Sequence, residues 1–161
     1  MNTAYLLIGG NLGDRNQNLL QAADLINAAC GSITTRSSIY ETAAWGKTDQ
    51  PAFLNQALEI STTLNARQLI RRILRVEKTM GRIRSEKLGP RIIDIDIIFF
   101  ENEIHNLRFL QVPHPQMQYR KFVLMPLAEI NASFFHPVLK KTISCLLQEC
   151  TDELEVKRLT K

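Results

Sequence analysis

Residues 87–100 read KLGPRIIDIDIIFF, and the rest of the chain has to pack around this segment. From Ile92 to Phe100 the side chains are β-branched or aromatic at every position except Asp94 and Asp96. Such a run predicts a β-strand that is buried on both faces. Because successive side chains of a strand point to opposite faces, the two aspartates share one face with Ile92 and Ile98, with their Cα atoms about 6.5 Å apart.

Two carboxylates side by side on an apolar strand need positive charge close by, because an unpaired buried carboxylate is strongly unfavourable. The glycine- and proline-containing segment just before the strand supplies it with Arg82, Arg84, Lys87 and Arg91. Two alternatives stay open: the aspartates are ion-paired with Arg82, Arg84 or Arg91, or they hold a hard divalent ion such as Mg²⁺. With a metal ion, the arginines could neutralise a transferred phosphoryl-type group.

The composition is that of an ordinary globular protein, with 161 residues, 45% hydrophobic and 22% charged. This length predicts one domain over residues 1–161. The formal charge of +4 is a mild excess, which favours a local phosphate site over a general nucleic-acid surface. Cys30, Cys145 and Cys150 lack the spacing of a zinc or redox motif and indicate free thiols in a reducing compartment. With no secretory leader and no long apolar span, we expect a cytoplasmic protein.

Hydrophobic periodicity and capping residues predict the order of helices and strands. An apolar stripe through Ile70, Ile73 and Leu74 marks the second helix. The pattern favours an α+β, ferredoxin-like fold, with an antiparallel or mixed sheet of about six strands packed with about four helices. The predicted elements are a strand at 4–8, a helix capped by Asp14, strands at 33–40 and 53–64, a helix at 66–80, the strand at 92–100, a turn at 101–103 into a strand at 104–112 that forms a hairpin with it, helices at 116–129 and 142–149, and an edge strand at 154–159.

Four side chains outside the aspartate strand each have two interpretations. Trp45 either anchors its own loop or covers a flat ligand. Asn55 is either an ordinary amide or reads the edge of a heterocycle stacked on Phe53. Glu77 continues the apolar stripe of the second helix, so it either reaches solvent or faces a ligand or cation, and the adjacent basic segment favours the latter. His114 lies between two prolines, which suits a positioned contact, although an isolated histidine is often structural.

The glycine-rich segment after the first strand has a simpler interpretation. Residues 9–13 read GGNLG, which matches neither common phosphate-loop pattern and contains no lysine. The segment therefore predicts a tight turn into the first helix.

Several motifs follow one another in an order that resembles a known family. They are residues 8–13 (IGGNLG), 40–42 (YET), 50–55 (QPAFLN), Glu77 with 81–84 (GRIR), 87–98 (KLGPRIIDIDII) and 112–115 (VPHP), followed by Arg120, Phe122 and 126–127 (PL). This set is similar to the 6-hydroxymethyl-7,8-dihydropterin pyrophosphokinases of folate biosynthesis. The resemblance implies that ATP donates its β,γ-diphosphoryl group to the pterin hydroxymethyl oxygen and leaves as AMP.

The resemblance also implies roles for single residues. Asp94 and Asp96 would coordinate two Mg²⁺ ions, beside the catalytic arginines Arg82 and Arg91. The segment at 82–91 would close over the reaction and exclude water. The pterin would be sandwiched by Phe53 and Phe122 and read by Asn55 and the backbone around Thr42 and Ala44, and ATP would be bound by Glu77, Arg82, Arg84, Arg91, Ile97, His114 and Arg120. The expected partners are these two small molecules, with no nucleic acid, no membrane and a monomeric enzyme.

Two other functions compete with this one. A ferredoxin-like sheet with exposed aromatic residues could stack single-stranded RNA, but paired aspartates repel phosphate unless a metal is present. A metal-dependent nucleotidyl or glycosyl transferase could use the same Asp-x-Asp pattern differently. The nucleotide product separates these alternatives.

Overall fold

The computed structural model describes residues 1–44, 49–83 and 89–159. No helix within these ranges combines the length and apolar character needed to cross a membrane. The described elements are β1 (Asn2–Gly10), α1 (Arg15–Ala29), β2 (Ser32–Arg36), β3 (Tyr40–Thr42), β4 (Phe53–Thr62), α2 (Ala66–Thr79), β5 (Asp94–Phe100), β6 (His105–Leu107), β7 (Leu110–Val112), a 3-10 turn (Met117–Tyr119), α3 (Lys121–Asn131), α4 (Ile143–Glu149) and β8 (Val156–Arg158).

One six-stranded sheet forms the centre of the fold. Its strand order is β5-β1-β4-β3-β8, β2 also pairs with β4, and the pairings among the described residues are antiparallel. β2 and β3 follow one another along the same edge of β4, against residues 58–61 and 53–55 respectively. The prediction of one strand at 104–112 paired with the strand at 92–100 is wrong: the segment forms two short strands, β6 and β7, which pair with each other in a separate hairpin. This arrangement confirms the predicted ferredoxin-like α+β class.

Alternate residues of β1 belong to two cores on opposite faces of the sheet. Ala4, Leu6 and Ile8 pack with residues of α1 and α2. Tyr5 and Leu7 pack with residues of α3 and α4. Both faces of the sheet are therefore covered by helices, and β1 contributes to both cores.

The first two helices begin where their capping residues predicted. The Asp14 carboxylate accepts a hydrogen bond from Gln17 N at 3.1 Å, and Asn65 and Gln68 form a reciprocal capping box at the start of α2. The predicted apolar stripe of α2 is wrong at Leu74, which is 42% exposed. Each residue turns the helix by about 100°, so Leu74 points away from the buried face. That face consists of Ala66, Leu69, Ile73, Val76 and Glu77.

The strand predicted at 33–40 is two strands, β2 and β3. Between them Ser37 N still donates to Ala57 O at 2.9 Å, and polar side chains make further hydrogen bonds. Ser37 Oγ accepts a hydrogen bond from Ala57 N at 2.8 Å. The Ser38 N–H and hydroxyl donate to a carboxylate oxygen of Glu129 at 2.9 and 3.0 Å. Tyr40 OH donates to the other oxygen of Glu129 at 2.7 Å. This partly buried network joins α3 to the edge of the sheet.

Glu129 is expected to stabilise the fold more at neutral pH than in acid. Burial alone would raise the pKa of the Glu129 carboxyl, but hydrogen bonds from Tyr40 and Ser38 outweigh burial and hold the pKa below its usual 4.5. Because the folded pKa lies below the unfolded value, this contribution is complete above about pH 4.5 and is lost as pH falls through the folded pKa.

We expect Glu129→Gln to lower the melting temperature at pH 7 by about 2 to 6 °C, and to reduce the decline on acidification. Melting curves between about pH 3 and 7 measure both effects. Glu155→Gln is the control, since Glu155 is an exposed glutamate outside this network. Equal pH profiles for wild type and Glu129→Gln would contradict the prediction.

β5 begins at Asp94, two residues later than predicted, and contains a β-bulge. Ile98 has no partner in β1 between two paired positions. Asp94, Asp96 and Ile98 share one face as predicted, and this face is the α3 side. Phe99, one residue beyond the bulge, packs on that side as well. The placement of Ile92 on the same face is wrong: Ile92 lies in a bend and packs with the core under α1 and α2.

The helix predicted at 116–129 is divided into the 3-10 turn and α3. The break is at Arg120, whose backbone is extended, with φ −130° and ψ 109°. This break places Arg120 and Phe122 at the N-terminal end of α3, beside the face of β5 that carries the aspartates.

Candidate active site

A cleft of about 660 Å³, part of it open to solvent, lies on the α3 side of the sheet. β1, β3, β4 and β5 supply its floor, and the start of α3 supplies one wall. The lining residues are Leu7, Gly9, Thr42, Ala43, Phe53, Asn55, Arg91, Asp94, Asp96, Ile98, His114, Arg120, Phe122 and Val123.

Gly9 lies at the centre of a row of residues across the floor of this cleft. It is paired with Asp94 on one side and with Asn55 on the other. A Cβ atom at Gly9 would lie 2.1 Å from Asn55 Oδ1 and 2.8 Å from Leu54 O. Only glycine at this position therefore leaves room for the buried Asn55 side chain. It also leaves the floor open between the Asn55 amide and the Asp94 carboxylate. The sequence analysis assigned this glycine to a turn and missed its role in the floor.

The two aspartates have different surroundings. Asp94 accepts hydrogen bonds from Arg82 Nη1 at 2.5 Å and from Arg91 Nη1 at 3.2 Å. Burial raises the pKa of Asp96 well above its usual value, and the negative charges of Asp94 and Glu77 raise it further. The site thus contains one carboxylate neutralised by two guanidinium groups and one whose charge is disfavoured by its environment.

Glu77 is a buried partner of Arg82. One of its oxygens accepts hydrogen bonds from Arg82 Nη1 and from Ile95 N, both at 2.8 Å. This contact joins the end of α2 to β5 and directs the Arg82 guanidinium towards Asp94. Of the two interpretations of Glu77, the structure agrees with the one in which it faces a cation.

Two arginines, Arg91 and Arg120, lie over aromatic rings. Arg91 donates from Nε and Nη2 to Gly89 O at 3.0 and 2.8 Å, and its guanidinium carbon is 5.1 Å from the centroid of the Phe53 ring. The guanidinium carbon of Arg120 is 5.7 Å from the centroid of Phe122. Both arrangements fit cation–π contacts, which hold positive charge above the aspartate face.

The end of the cleft near β3 and β4 carries polar groups suited to a flat heterocycle. Asn55 is 6% exposed, and Thr42 Oγ1 is buried without a hydrogen-bond partner among the described residues. An unsatisfied buried hydroxyl beside a cleft is a group that a ligand can satisfy. Ala43 lines the cleft and Ala44 is buried next to it.

A second cavity of about 610 Å³ meets the first at Asp96 and His114. Burial and the charge of Arg120 lower the pKa of His114 to about 4. His114 Nδ1 accepts a hydrogen bond from Gln116 N at 3.2 Å, so Nε2 carries the proton of the neutral ring. The sequence analysis did not predict that residues 108–111 of the β6–β7 hairpin line this cavity, because they match no ligand-binding motif. The other lining residues are Ile70, Ile95, Ile97, Arg108, Phe109, Leu110, Gln111 and Pro115.

The structure brings most of the predicted site residues together. Those that line one or both cavities are Thr42, Phe53, Asn55, Arg91, Asp94, Asp96, Ile97, His114, Arg120 and Phe122. Arg82 and Glu77 contact this set through Asp94 and Ile95. Trp45, Arg84 and Lys87 lie outside the described residues.

The sequence model of one protein family, 7,8-dihydro-6-hydroxymethylpterin-pyrophosphokinase (HPPK), matches residues 5–132. The chain belongs to the HPPK family. A 2-amino-4-hydroxy-6-hydroxymethyldihydropteridine pyrophosphokinase of Bacillus subtilis is 46% identical over 130 residues, covering 80% of this chain and 78% of the relative. The enzyme of the same name from Aquifex aeolicus is 39% identical over 143 residues, covering 89% of both chains.

Solved structures agree with the HPPK fold. A Plasmodium falciparum HPPK-DHPS triple mutant superposes with a TM-score of 0.75 at 20% identity, over 92% of this chain and 44% of that one. The wild-type protein with pteroate gives a TM-score of 0.74 at 19% identity, over 92% and 42%. At these identities the superposition supports the fold alone. The HPPK match at 5–132 contains the described residues of both cavities, whereas α4 and β8 lie beyond it.

Proposed function

We propose that this HPPK-family protein transfers the diphosphoryl group of ATP to the hydroxymethyl oxygen of 6-hydroxymethyl-7,8-dihydropterin and releases AMP, in folate biosynthesis. The observation that carries the proposal is the row Asp94, Gly9 and Asn55 on the floor of one cleft. This row would place the pterin ring on Gly9, with its polar edge at the Asn55 amide and its hydroxymethyl group towards Asp94 and Asp96.

The pterin would lie between Phe53 and Phe122, which line the same cleft. Aromatic stacking would hold the ring, and Asn55, Thr42 and the backbone near Ala44 would read its polar edge. Support comes from the buried Thr42 hydroxyl, which has no partner among the described residues.

We expect Thr42→Val to weaken pterin binding about 5- to 10-fold while leaving the fold at least as stable, since the value of one hydrogen bond is about 1 kcal/mol. Titration calorimetry with the pterin and thermal melting measure the two effects. Thr62→Val is the control, because Thr62 Oγ1 donates to Cys30 O at 2.6 Å, outside both cavities. It should lower stability and leave pterin affinity unchanged. Unchanged affinity in Thr42→Val would remove Thr42 from the site.

The nucleotide would occupy the second cavity, with its phosphates reaching the aspartates where the two cavities meet. Ile97 and Ile70 would pack on the base, and His114 would donate a hydrogen bond from Nε2. Arg82, Arg91 and Arg120 would face the phosphate chain, where fixed guanidinium groups stabilise developing charge. Glu77 would contribute by orienting Arg82, and Arg84 would join this group.

Asp94 and Asp96 are a suitable donor set for two Mg²⁺ ions, because they are hard oxygen ligands on one strand face. Within the described residues, no three His, Cys, Asp or Glu side chains form a metal-binding group, so water and phosphate oxygens would complete the coordination. Bound Mg²⁺ would neutralise charge on the phosphates. Arg82 and Arg91, which donate to Asp94 in this structure, would contact the phosphates in the loaded enzyme.

The domain organisation, oligomeric state and cellular location of the enzyme are also part of what we propose. Residues 1–161 would act as one pyrophosphokinase domain, since both cores share β1. The enzyme would act as a monomer. Its free thiols fit the cytoplasm.

Product analysis tests the reaction. The protein is incubated with MgATP and 6-hydroxymethyl-7,8-dihydropterin, and the nucleotides are separated by chromatography. AMP formed in equal amount with the pterin diphosphate is the expected result. ADP would instead indicate a simple kinase, and no turnover together with retention of single-stranded RNA would indicate a binding module.

A further inference from the structure

Asn11 is a buried amide, 3% exposed, whose side chain joins two distant segments of the chain. Its Nδ2 group donates to Gln50 Oε1 and to Pro51 O, both at 2.9 Å. Its Oδ1 accepts a hydrogen bond from Arg91 N at 2.9 Å. Both amide protons of Nδ2 are therefore used on one segment and the carbonyl oxygen on the other.

The backbone of the same turn holds Arg91 from its other side. Asn11 N and Leu12 N donate to Arg91 O at 2.9 and 3.2 Å. The turn packs so closely that a Cβ atom on Gly10 would lie 2.2 Å from Ile92 O. Both polar groups of the Arg91 backbone are thus bonded to the β1–α1 turn.

At one end, Asn11 holds Arg91, which the proposed function places beside the phosphates. Arg91 follows directly on Gly89 and Pro90 and precedes β5, and its guanidinium reaches Asp94 and lies over Phe53. A shift of the Arg91 backbone would move the guanidinium relative to both groups.

At the other end, Asn11 holds the segment that leads into Phe53, the proposed stacking residue. Gln50 and Pro51 stand just before Phe53, the first residue of β4. Arg15 Nη1 fixes the same approach by donating to Ala52 O at 2.9 Å and to Glu41 at 2.7 Å. Asn11 itself lines neither of the two cavities.

From these contacts we infer that Asn11 is a positioning residue that sets Arg91 and Phe53 relative to each other, and so couples the phosphate side of the site to the pterin side. This inference rests on the proposed function for the meaning of the two sides. It assigns a role to a residue in the segment that the sequence analysis interpreted only as a turn.

The first arm of the test measures, without any substrate, whether Asn11 holds the Arg91 backbone in place. Amide hydrogen exchange is compared for wild type, Asn11→Ala and Asn18→Ala. Asn18 is the matched control, because its amide donates to Leu12 O in the same turn and contacts neither distant segment. We expect exchange at the Arg91 N–H to accelerate at least about 10-fold in Asn11→Ala and to stay unchanged in Asn18→Ala. Unchanged protection in Asn11→Ala would overturn the inference.

The second arm measures turnover in a double-mutant cycle. Asn11→Ala should lower kcat about 100-fold, since misplacing a catalytic group by about 1 Å has effects of this size, and should raise the KM for the pterin. In an Arg91→Ala background the same change should have much less effect on kcat, because the group that Asn11 positions is gone. Gln50→Ala, which removes one of the three side-chain bonds, should give a smaller loss of the same kind.

The outcomes distinguish this inference from the proposed function. Full multiplication of the two kcat losses in the double variant would mean that Asn11 acts by general stability, and would overturn it. Failure of the wild type to form AMP would refute the proposed function, while the exchange measurement would still decide whether Asn11 holds Arg91.

Discussion

Asp96→Asn is expected to lower kcat by more than about 1,000-fold without lowering the free energy of unfolding. The amide has the shape of the protonated carboxyl, which burial and the charges of Asp94 and Glu77 favour at this position. Since a carboxyl whose folded pKa is raised destabilises the fold as pH rises through the range between its unfolded and folded pKa values, removing the charge relieves that effect at neutral pH. AMP formation and thermal melting at about pH 7 measure the two quantities.

Asp94→Asn is the matched comparison, because Asp94 also neutralises two arginines. It should lose comparable activity and, in addition, about 1 to 3 kcal/mol of stability, since Arg82 and Arg91 keep their burial but lose a charged partner. Near-normal turnover in Asp96→Asn would remove Asp96 from the reaction. Equal stability of the two variants would contradict the difference in their surroundings.

Gly9→Ala is expected to lower pterin affinity by more than about 100-fold and stability by about 1 to 3 kcal/mol. The added methyl would occupy space now held by Asn55 Oδ1, 2.1 Å away, so Asn55 or the strand must move. Either movement disturbs the floor and the amide on which recognition depends. Calorimetric titration with the pterin measures the affinity, and denaturant unfolding measures the stability.

Gly31→Ala separates the effect on the site from the effect on packing. A Cβ atom there would lie 2.5 Å from Ser61 O, a comparable clash, and Gly31 lines neither cavity. This variant should lose stability to a similar degree and keep its pterin affinity. A similar loss of affinity in both variants would mean that Gly9 matters for packing alone.

The aspartate strand was predictable because its signal is local. Alternation along β5 places Asp94 and Asp96 on one face whatever the strand pairs with, and the arginines that neutralise Asp94 lie in the preceding segment. The capped starts of α1 and α2 were predictable for the same reason. The resemblance to a family supplied the individual site roles, which alternation and spacing alone leave open.

Features that depend on distant partners were not predictable from local patterns. Where the strand at 33–40 is divided, Ser38 meets Glu129, a residue 91 positions away. The role of Gly9 requires knowing that β1 lies between β4 and β5, since only then does Asn55 become its neighbour. The second cavity requires the hairpin of β6 and β7 to lie beside β5.

Ile98, which has no partner in β1, divides β5 into two parts with different roles. Before Ile98, Asp94 and Asp96 line the cleft. After it, Phe99 and Phe100 pack in the hydrophobic cores, one in each. The extra residue shifts the alternation of side chains, so that Phe99 lies on the same side as Asp94 and Asp96 although it is an odd number of residues away from both. Exchanging Phe99 or Phe100 for another bulky apolar residue should therefore change the packing of one core and leave Asp94 and Asp96 on the face that they now occupy.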